Sequence, residues 1–193
     1  MSEDLMAKVD EALKKEERLK ALLAAYGSIA VAYSGGVDST YLADVAHDVL
    51  GQNAHMLIAD TPSIPRSELA EAKAMAAQRH WQLNIIQPNE FEQEDFLKND
   101  PNRCYYCKST LFLTMKEYAQ QHNIAALAYG ETAEDTFDTT RVGHVAASEH
   151  AVVSPLKEAG LNKDEIRLLS RRRQLPTAEK ASFACLASRF PTG

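Results

Sequence analysis

The sequence predicts an α/β protein built on an open, parallel, five-stranded sheet with helices on both faces. Three observations predict it. Short apolar runs recur along the chain. Segments with helical apolar spacing separate them. Each run ends in polar residues suited to the ligand-binding loops beyond the carboxyl ends of parallel strands.

The elements follow in order. Asp4 to Ala25 carries Leu5, Val9, Leu13, Leu19, Leu22 and Leu23 among many charges, an amphipathic helix with Gly27 as its stop. Ser28 to Tyr33 is a buried strand, and Val37 to Leu50 returns to helical spacing. Ala54 to Ala59 is a second strand, Ser67 to Gln78 an alanine-rich helix, and Leu83 to Ile86 a third strand. Gln87 to Asn102 is polar and reads as a loop with one helical turn. Thr110 to Gln121 is a helix, Ile124 to Tyr129 a fourth strand, and Gly130 to Gly143 a long, partly helical loop at the expected active site. Ala151 to Ser154 is a short fifth strand, and Asn162 caps a helix that runs to Leu175.

The 193 residues suit one domain of ordinary size. With 21 basic and 27 acidic side chains the formal charge is −6, which disfavours binding to nucleic acid or an anionic membrane by bulk charge. No apolar run approaches the roughly 20 residues of a membrane span. The charged, polar first twenty residues are unlike a signal peptide, so a cytoplasmic location is expected. Three cysteines, two of them spaced Cys-x-x-Cys, favour metal, cluster or sulfur chemistry over a disulfide framework in a reducing compartment.

Ser34-Gly35-Gly36-Val37-Asp38-Ser39-Thr40 lies between the first strand and the second helix. The glycines permit a tight turn and close ligand approach, and the helix start offers N–H groups and a positive dipole end to phosphate. Ser34, Ser39 and Thr40 add hydroxyls, and Asp38 beside a polyphosphate calls for a bridging Mg2+. The plain alternative is a strand–helix turn in which Ser and Asp act as caps. Asn102-Arg103-Cys104-Tyr105-Tyr106-Cys107-Lys108 precedes the predicted helix, so a turn brings both sulfurs to one side. Cys185 is distant in sequence. The three thiols would leave one open iron in a cubane cluster; zinc completed by His144 or His150, or a plain buried thiol at Cys185 with an unrelated pair at Cys104 and Cys107, are the alternatives.

SGGVDS after an apolar strand resembles the pyrophosphatase loop of the N-type ATP pyrophosphatases, the PP-loop superfamily. That resemblance implies ATP cleavage between the α and β phosphates, with AMP passing to a substrate oxygen. Four segments then resemble the ATP-dependent sacrificial sulfur transferases (LarE): AYSGGVDST at 32–40, NRCYYCK at 102–108, residues 129–143, and CLASRFPTG at 185–193. The family resemblance implies adenylation of a carboxylate of pyridinium-3,5-biscarboxylic acid mononucleotide and replacement of its oxygen by sulfur, in nickel-pincer cofactor biosynthesis.

By the same resemblance Cys104, Cys107 and Cys185 match the branch whose three cysteines hold a 4Fe–4S cluster with an exchangeable sulfide. Cys185, Lys108 and Asp38 are the expected catalytic residues. Ser34, Gly35, Gly36, Asp38, Ser39, Thr40, Asp60 and Gly130 are expected at ATP, and Ser188, Arg189, Glu131 and Asp135 at the substrate. ATP, Mg2+ and the cluster are the implied cofactors. The implied partners are a small-molecule nucleotide substrate, further copies of the chain, and sulfide-donating or cofactor-pathway proteins, with no nucleic acid or membrane. Residues 1–175 form the expected PP-loop domain and 176–193 a C-terminal segment; the further C-terminal domain of the family has no counterpart before Gly193. The competing functions are a zinc-holding amide ligase or deazaguanine-nitrile synthase of the same superfamily, and a catalytically incomplete nucleotide-binding module.

Overall fold

A computed structural model describes residues 3–89, 92, 94–97, 102–137 and 143–181. Its sheet comprises β1 (Ile29–Ala32), β2 (Ala54–Ala59), β3 (Gln82–Ile86), β4 (Ala126–Ala128) and β5 (Val152–Val153). The order is β3-β2-β1-β4-β5 and every neighbouring pair is parallel. The chain steps outward from β1 to β3, then returns to the other side of β1. Right-handed crossovers place helices on one face while the chain steps one way and on the opposite face when it steps back.

The described helices obey that rule. Helices α1 (Glu3–Tyr26), α2 (Val37–Leu50), α3 (Arg66–Gln78) and α8 (Lys163–Arg172) contribute to one core with Ile29, Val31, Met56 and Ile58. Helices α5 (Arg103–Gln121) and α6 (Gly143–Glu149) contribute to the other with Ala30, Leu57 and Leu127. Alternate strand residues therefore face opposite layers, and both layers are apolar. This is why these strands read as continuous apolar runs. Two short helices, α4 (Glu94–Leu97) and α7 (Pro155–Glu158), complete the described α-helices. Among the described residues no helix is long and apolar enough to cross a membrane.

The predicted helix at Thr110 begins seven residues earlier, at Arg103, so Cys104 and Cys107 lie inside its first turns rather than before it. Tyr105, Phe112, Met115 and Ala119 belong to or pack against one core, a helical stripe that runs through the cysteines. Cysteine and tyrosine are mediocre helix formers, and tertiary packing overrides them. The segment 144–149, given no element by its sequence, is α6. Asn162 caps α8 as expected: its side chain accepts from Glu165 N–H while the Glu165 carboxylate accepts from Asn162 N–H.

The described part of the C-terminal segment, residues 176–181, is tied to the sheet domain. Arg167 donates to the carbonyls of Ala178 (2.5 Å) and Lys180 (3.0 Å), and Lys180 Nζ reaches Glu68 (2.5 Å) and Glu71 (3.1 Å) on α3.

At the far end of α8, Arg173 meets Glu16 of α1 at 2.7 Å and Asp44 and Asp48 of α2 at 3.0 and 2.5 Å. The Glu16 and Asp44 side chains are only 9% and 6% exposed. Replacing Arg173 by Leu leaves Glu16 with the Tyr41 hydroxyl (3.2 Å) and Asp44 with the longer contact to Arg79 (3.4 Å), both in the interior. The expected cost is about 3 kcal/mol, the scale for breaking a buried ion pair from one side, read as a lowered urea midpoint with an unchanged denaturant slope.

Candidate active site

The reversal of strand order lies between β1 and β4, where the loops leaving the two strands part. In open α/β sheets this is where ligands bind. A cleft of about 420 Å³ opens there. Ser34, Gly36, Asp38 and Ser39 form its floor, Tyr129 and Gly130 leave β4 beside it, and Lys108, Lys163 and Lys180 line its walls.

Two glycines shape the floor. Gly35 turns with φ +78°, and a Cβ there would stand 3.1 Å from the Ala72 Cβ. At Gly130 a Cβ would stand 3.0 Å from Ser39 N and 3.2 Å from the Asp38 carbonyl carbon. The end of β4 thus packs against the first turn of α2 with no room for a side chain. Ser34 N donates to Ser39 Oγ at 3.1 Å, and the two hydroxyls lie 3.0 Å apart. Gly36 caps α2 with no side-chain hydrogen bond, so the helix start is not closed by its own cap. An anion can replace that missing acceptor.

Asp38 is held between competing effects. Burial raises its carboxyl above the usual range, and Lys163, at 2.6 Å from Oδ2, opposes the rise. Among the described residues its buried Oδ1 has no hydrogen-bond partner. An unpartnered carboxylate oxygen in a cleft of lysines and helix N–H groups fits Mg2+ carried by a polyphosphate, because a hard cation takes oxygen ligands.

The other predicted residues fall as follows. Thr40 is fully buried and does not line the cleft; its side chain sits in the layer beneath the loop. Asp60 does not line it either: Arg66 NH1 reaches Asp60 Oδ1 at 2.5 Å, and Ser63 and Ile64 of the same loop face the cleft instead. Glu131 is buried, accepts from Ser154 Oγ at 2.8 Å and lies 3.5 Å from Lys157. Asp135 accepts from Thr132 N and Thr132 Oγ1 at 2.8 and 3.0 Å, closing a turn, and its charge reaches Asp38. Cys104, exposed, and Cys107, half-buried, stand at i and i+3 on α5, with Lys108 at i+4 from Cys104. That spacing puts all three on one side of the helix. Cys185, Ser188 and Arg189 lie outside the described residues. Among the described residues no group of three or more His, Cys, Asp and Glu side chains is placed to hold a metal.

Sequence reasoning did not assign Lys163, Lys180, Glu68 and Tyr129 to the site. Lys163 meets Asp38 across 125 positions and Lys180 meets Glu68 across 112, pairings that no local pattern announces. Two signals pointed toward Lys163: the Asn162 cap, since a helix starting there aims Lys163 forward, and the resemblance of Ser154-Pro155-Leu156, Lys163 and Arg167 to a segment shared by several PP-loop families, which discriminates poorly among them.

Sheet order, switch point and SGGVDS loop together give the chain the fold of the PP-loop ATPases. No family model matches the chain. Over 179 residues it is 39% identical to an uncharacterized protein of Synechocystis, covering 93% of this chain and 66% of that one. Over 180 residues it is 29% identical to the pyridinium-3,5-bisthiocarboxylic acid mononucleotide synthase of Lactiplantibacillus plantarum, covering 93% and 65%. The chain thus spans slightly less than two thirds of the length of these curated relatives. Among solved structures it resembles the NH3-dependent NAD synthetase of Campylobacter jejuni, with a TM-score of 0.66 at 17% identity over 90% of this chain and 79% of that one. This last likeness concerns the fold.

Burial pushes the Tyr33 phenol up to about 12 and raises Tyr41 and Tyr129 as well. These groups stay protonated in the folded state after they ionise in the unfolded chain. The unfolded state then binds fewer protons, so stability falls as pH rises from about 10, the ordinary phenol value. Absorbance titration at alkaline pH is expected to show exposed tyrosines ionising first and the buried ones only together with loss of circular dichroism.

Proposed function

We propose that the chain is the ATP-using part of a sulfur transferase that adenylates a carboxylate of pyridinium-3,5-biscarboxylic acid mononucleotide and replaces its oxygen with sulfur. One observation carries the reading. The helix turn bearing Cys104 and Cys107 also presents Lys108 to the cleft behind the SGGVDS loop. The name of the Lactiplantibacillus relative supplies the class of product, a pyridinium bisthiocarboxylic acid mononucleotide, and the family resemblance supplies its biscarboxylic precursor.

In this reading Ser34, Ser39 and the first N–H groups of α2 hold the β and γ phosphates, and Asp38 with Lys163 sets the charge at the loop. Mg2+, bound by Asp38 Oδ1, would neutralise the polyphosphate. A substrate carboxylate oxygen bonds to the α phosphorus, the bond to the bridging oxygen breaks, and pyrophosphate leaves. Lys108 faces the negative charge of the resulting acyl phosphate. A hydrogen sulfide ion then bonds through sulfur to the acyl carbon, the carbon–oxygen bond to AMP breaks, and loss of the sulfur-bound proton leaves a thiocarboxylate. Adenylation is needed because a free carboxylate has no adequate leaving group.

Cys104, Cys107 and Cys185 are the residues that would hold a 4Fe–4S cluster, which when bound supplies an exchangeable sulfide. Two donors on one helical turn fit such a group. Ala181, four residues before Cys185 in the sequence, lines the cleft. Ser188 and Arg189 are assigned to the substrate by the family resemblance alone; a guanidinium can pair two N–H bonds with phosphate oxygens. Glu131 and Asp135 order the β4 loop through Ser154 and Thr132 rather than by lining the cleft.

Two measurements test this reading. Pyrophosphate release with magnesium, ATP and the biscarboxylic substrate should fall about 100-fold or more in Asp38→Asn, the scale for removing one electrostatic stabiliser; undiminished release refutes the role of Asp38. After anaerobic reconstitution with iron and sulfide, mass spectrometry should find Cys185 unchanged through several turnovers. Loss of one hydrogen sulfide from Cys185 per product would instead mean that the side chain is consumed.

A further inference from the structure

The amino ends of the strands, at the opposite edge of the sheet from the cleft, carry a group of rings that the reaction does not use. His55 is the second residue of β2. Tyr118 lies in the last turn of α5, and His122 caps the end of that helix. His55 Nδ1 stands 3.0 Å from the Tyr118 hydroxyl. The His122 ring stacks on the Tyr118 ring, with centroids 4.0 Å apart and planes 18° from parallel. The two imidazole centroids are 6.0 Å apart. A strand and a helix far apart in sequence thus bring two histidines to one tyrosine.

The hydrogen bonds decide which nitrogen each histidine offers. His122 Nδ1 lies 2.9 Å from the Tyr118 carbonyl oxygen. A carbonyl only accepts, so a neutral His122 carries its hydrogen on Nδ1 and its lone pair on Nε2. With Nδ1 turned back to the helix, Nε2 points out along the stacked Tyr118 ring toward its hydroxyl, the end at which His55 sits. The phenol oxygen can accept from His55 Nδ1, and that tautomer leaves a lone pair on His55 Nε2 as well. Among the described residues neither Nε2 takes part in a hydrogen bond. Histidines that bind metal through one ring nitrogen characteristically donate from the other to an oxygen.

We infer that His55 and His122 form a two-histidine site for a divalent transition-metal cation of the zinc type, with water completing its coordination. Imidazole suits Zn2+, Cu2+ and Ni2+, whereas Mg2+ takes oxygen, so this site differs in chemistry from the loop at Asp38. Two imidazoles on one tetrahedral ion have their centroids about 5 Å apart, given metal–nitrogen bonds of about 2.0 Å. A shift of about 1 Å by His122, exposed at the helix end, closes the observed spacing to that value. Tyr118 serves both ligands, since its hydroxyl orients His55 and its ring seats His122. A bound ion fastens the end of α5 to β2 and stabilises the folded chain by mass action.

The test adds Zn2+ to the full chain and reads each histidine separately, because the cysteines also attract zinc. Acylation by diethyl pyrocarbonate, followed by peptide mass spectrometry, should slow at His55 and His122 together and stay unchanged at His47 of α2. Mg2+ at the same concentration should protect neither. Tyr118→Phe keeps the stacked ring and removes the orienting hydroxyl, so it should raise the Zn2+ concentration for half-protection about 10-fold. His122→Gln, a change at an exposed position, should abolish the protection of His55. Protection spread equally over all histidines, no protection at all, or protection of His55 that survives His122→Gln overturns the inference. An unchanged half-point in Tyr118→Phe overturns the part assigned to the tyrosine. The labelling involves no turnover, so its outcome is independent of the function proposed above.

Discussion

The site depends on one close backbone contact. β4 ends at Ala128, and two residues later Gly130 presses against the first turn of α2, where any Cβ would stand 3.0 Å from Ser39 N. Because β1 and β4 are paired in register through Ile29–Ala126, Ala30–Leu127 and Val31–Ala128, the loops leaving them begin side by side. The contact at Gly130 then sets how far they part. Tyr129 on one side of it and Asp38 on the other are placed by the same few ångströms of backbone. Rigid strand ends make better mounts for reacting groups than free loops do.

Charge around the cleft is balanced rather than uniform. Lys108, Lys163 and Lys180 bring three cations to a protein of net charge −6, and Asp38 and Glu68 answer two of them directly. A polyphosphate entering such a cleft exchanges partners with groups already paired, so the ground state is neither an open anion trap nor a closed one. The Lys108 ammonium stands 5.1 Å from the centroid of the Tyr129 ring.

Much of the fold was legible because its signals are local. Val37–Leu50 and Ala54–Ala59 coincide with their expected ranges, and the strand-to-helix turn at SGGVDS lies at the switch point where its glycines imply. What could not be read was set by distance or by packing. α5 begins at Arg103 because Tyr105 and Phe112 share one buried stripe, against the weak helix preference of the cysteines between and beside them. Thr40 was grouped with its hydroxyl neighbours, yet one residue of helical rotation carries it from the cleft into the core. Asp60 found a nearer partner in Arg66, and Lys163 entered the site from α8, far along the chain.

Helix α8 joins two places that have no direct contact. Lys163 at its start holds Asp38 of the loop, and Arg173 just past its end is clasped by Glu16, Asp44 and Asp48. The helix is about 15 Å long and works as a tie rod. Both of its anchors grip α2, one at the helix start and one in its later turns. The clasp at Arg173 and the pair at Lys163 therefore fasten the same two rods, so the seating that holds the far end of α8 is shared by the end that faces the cleft.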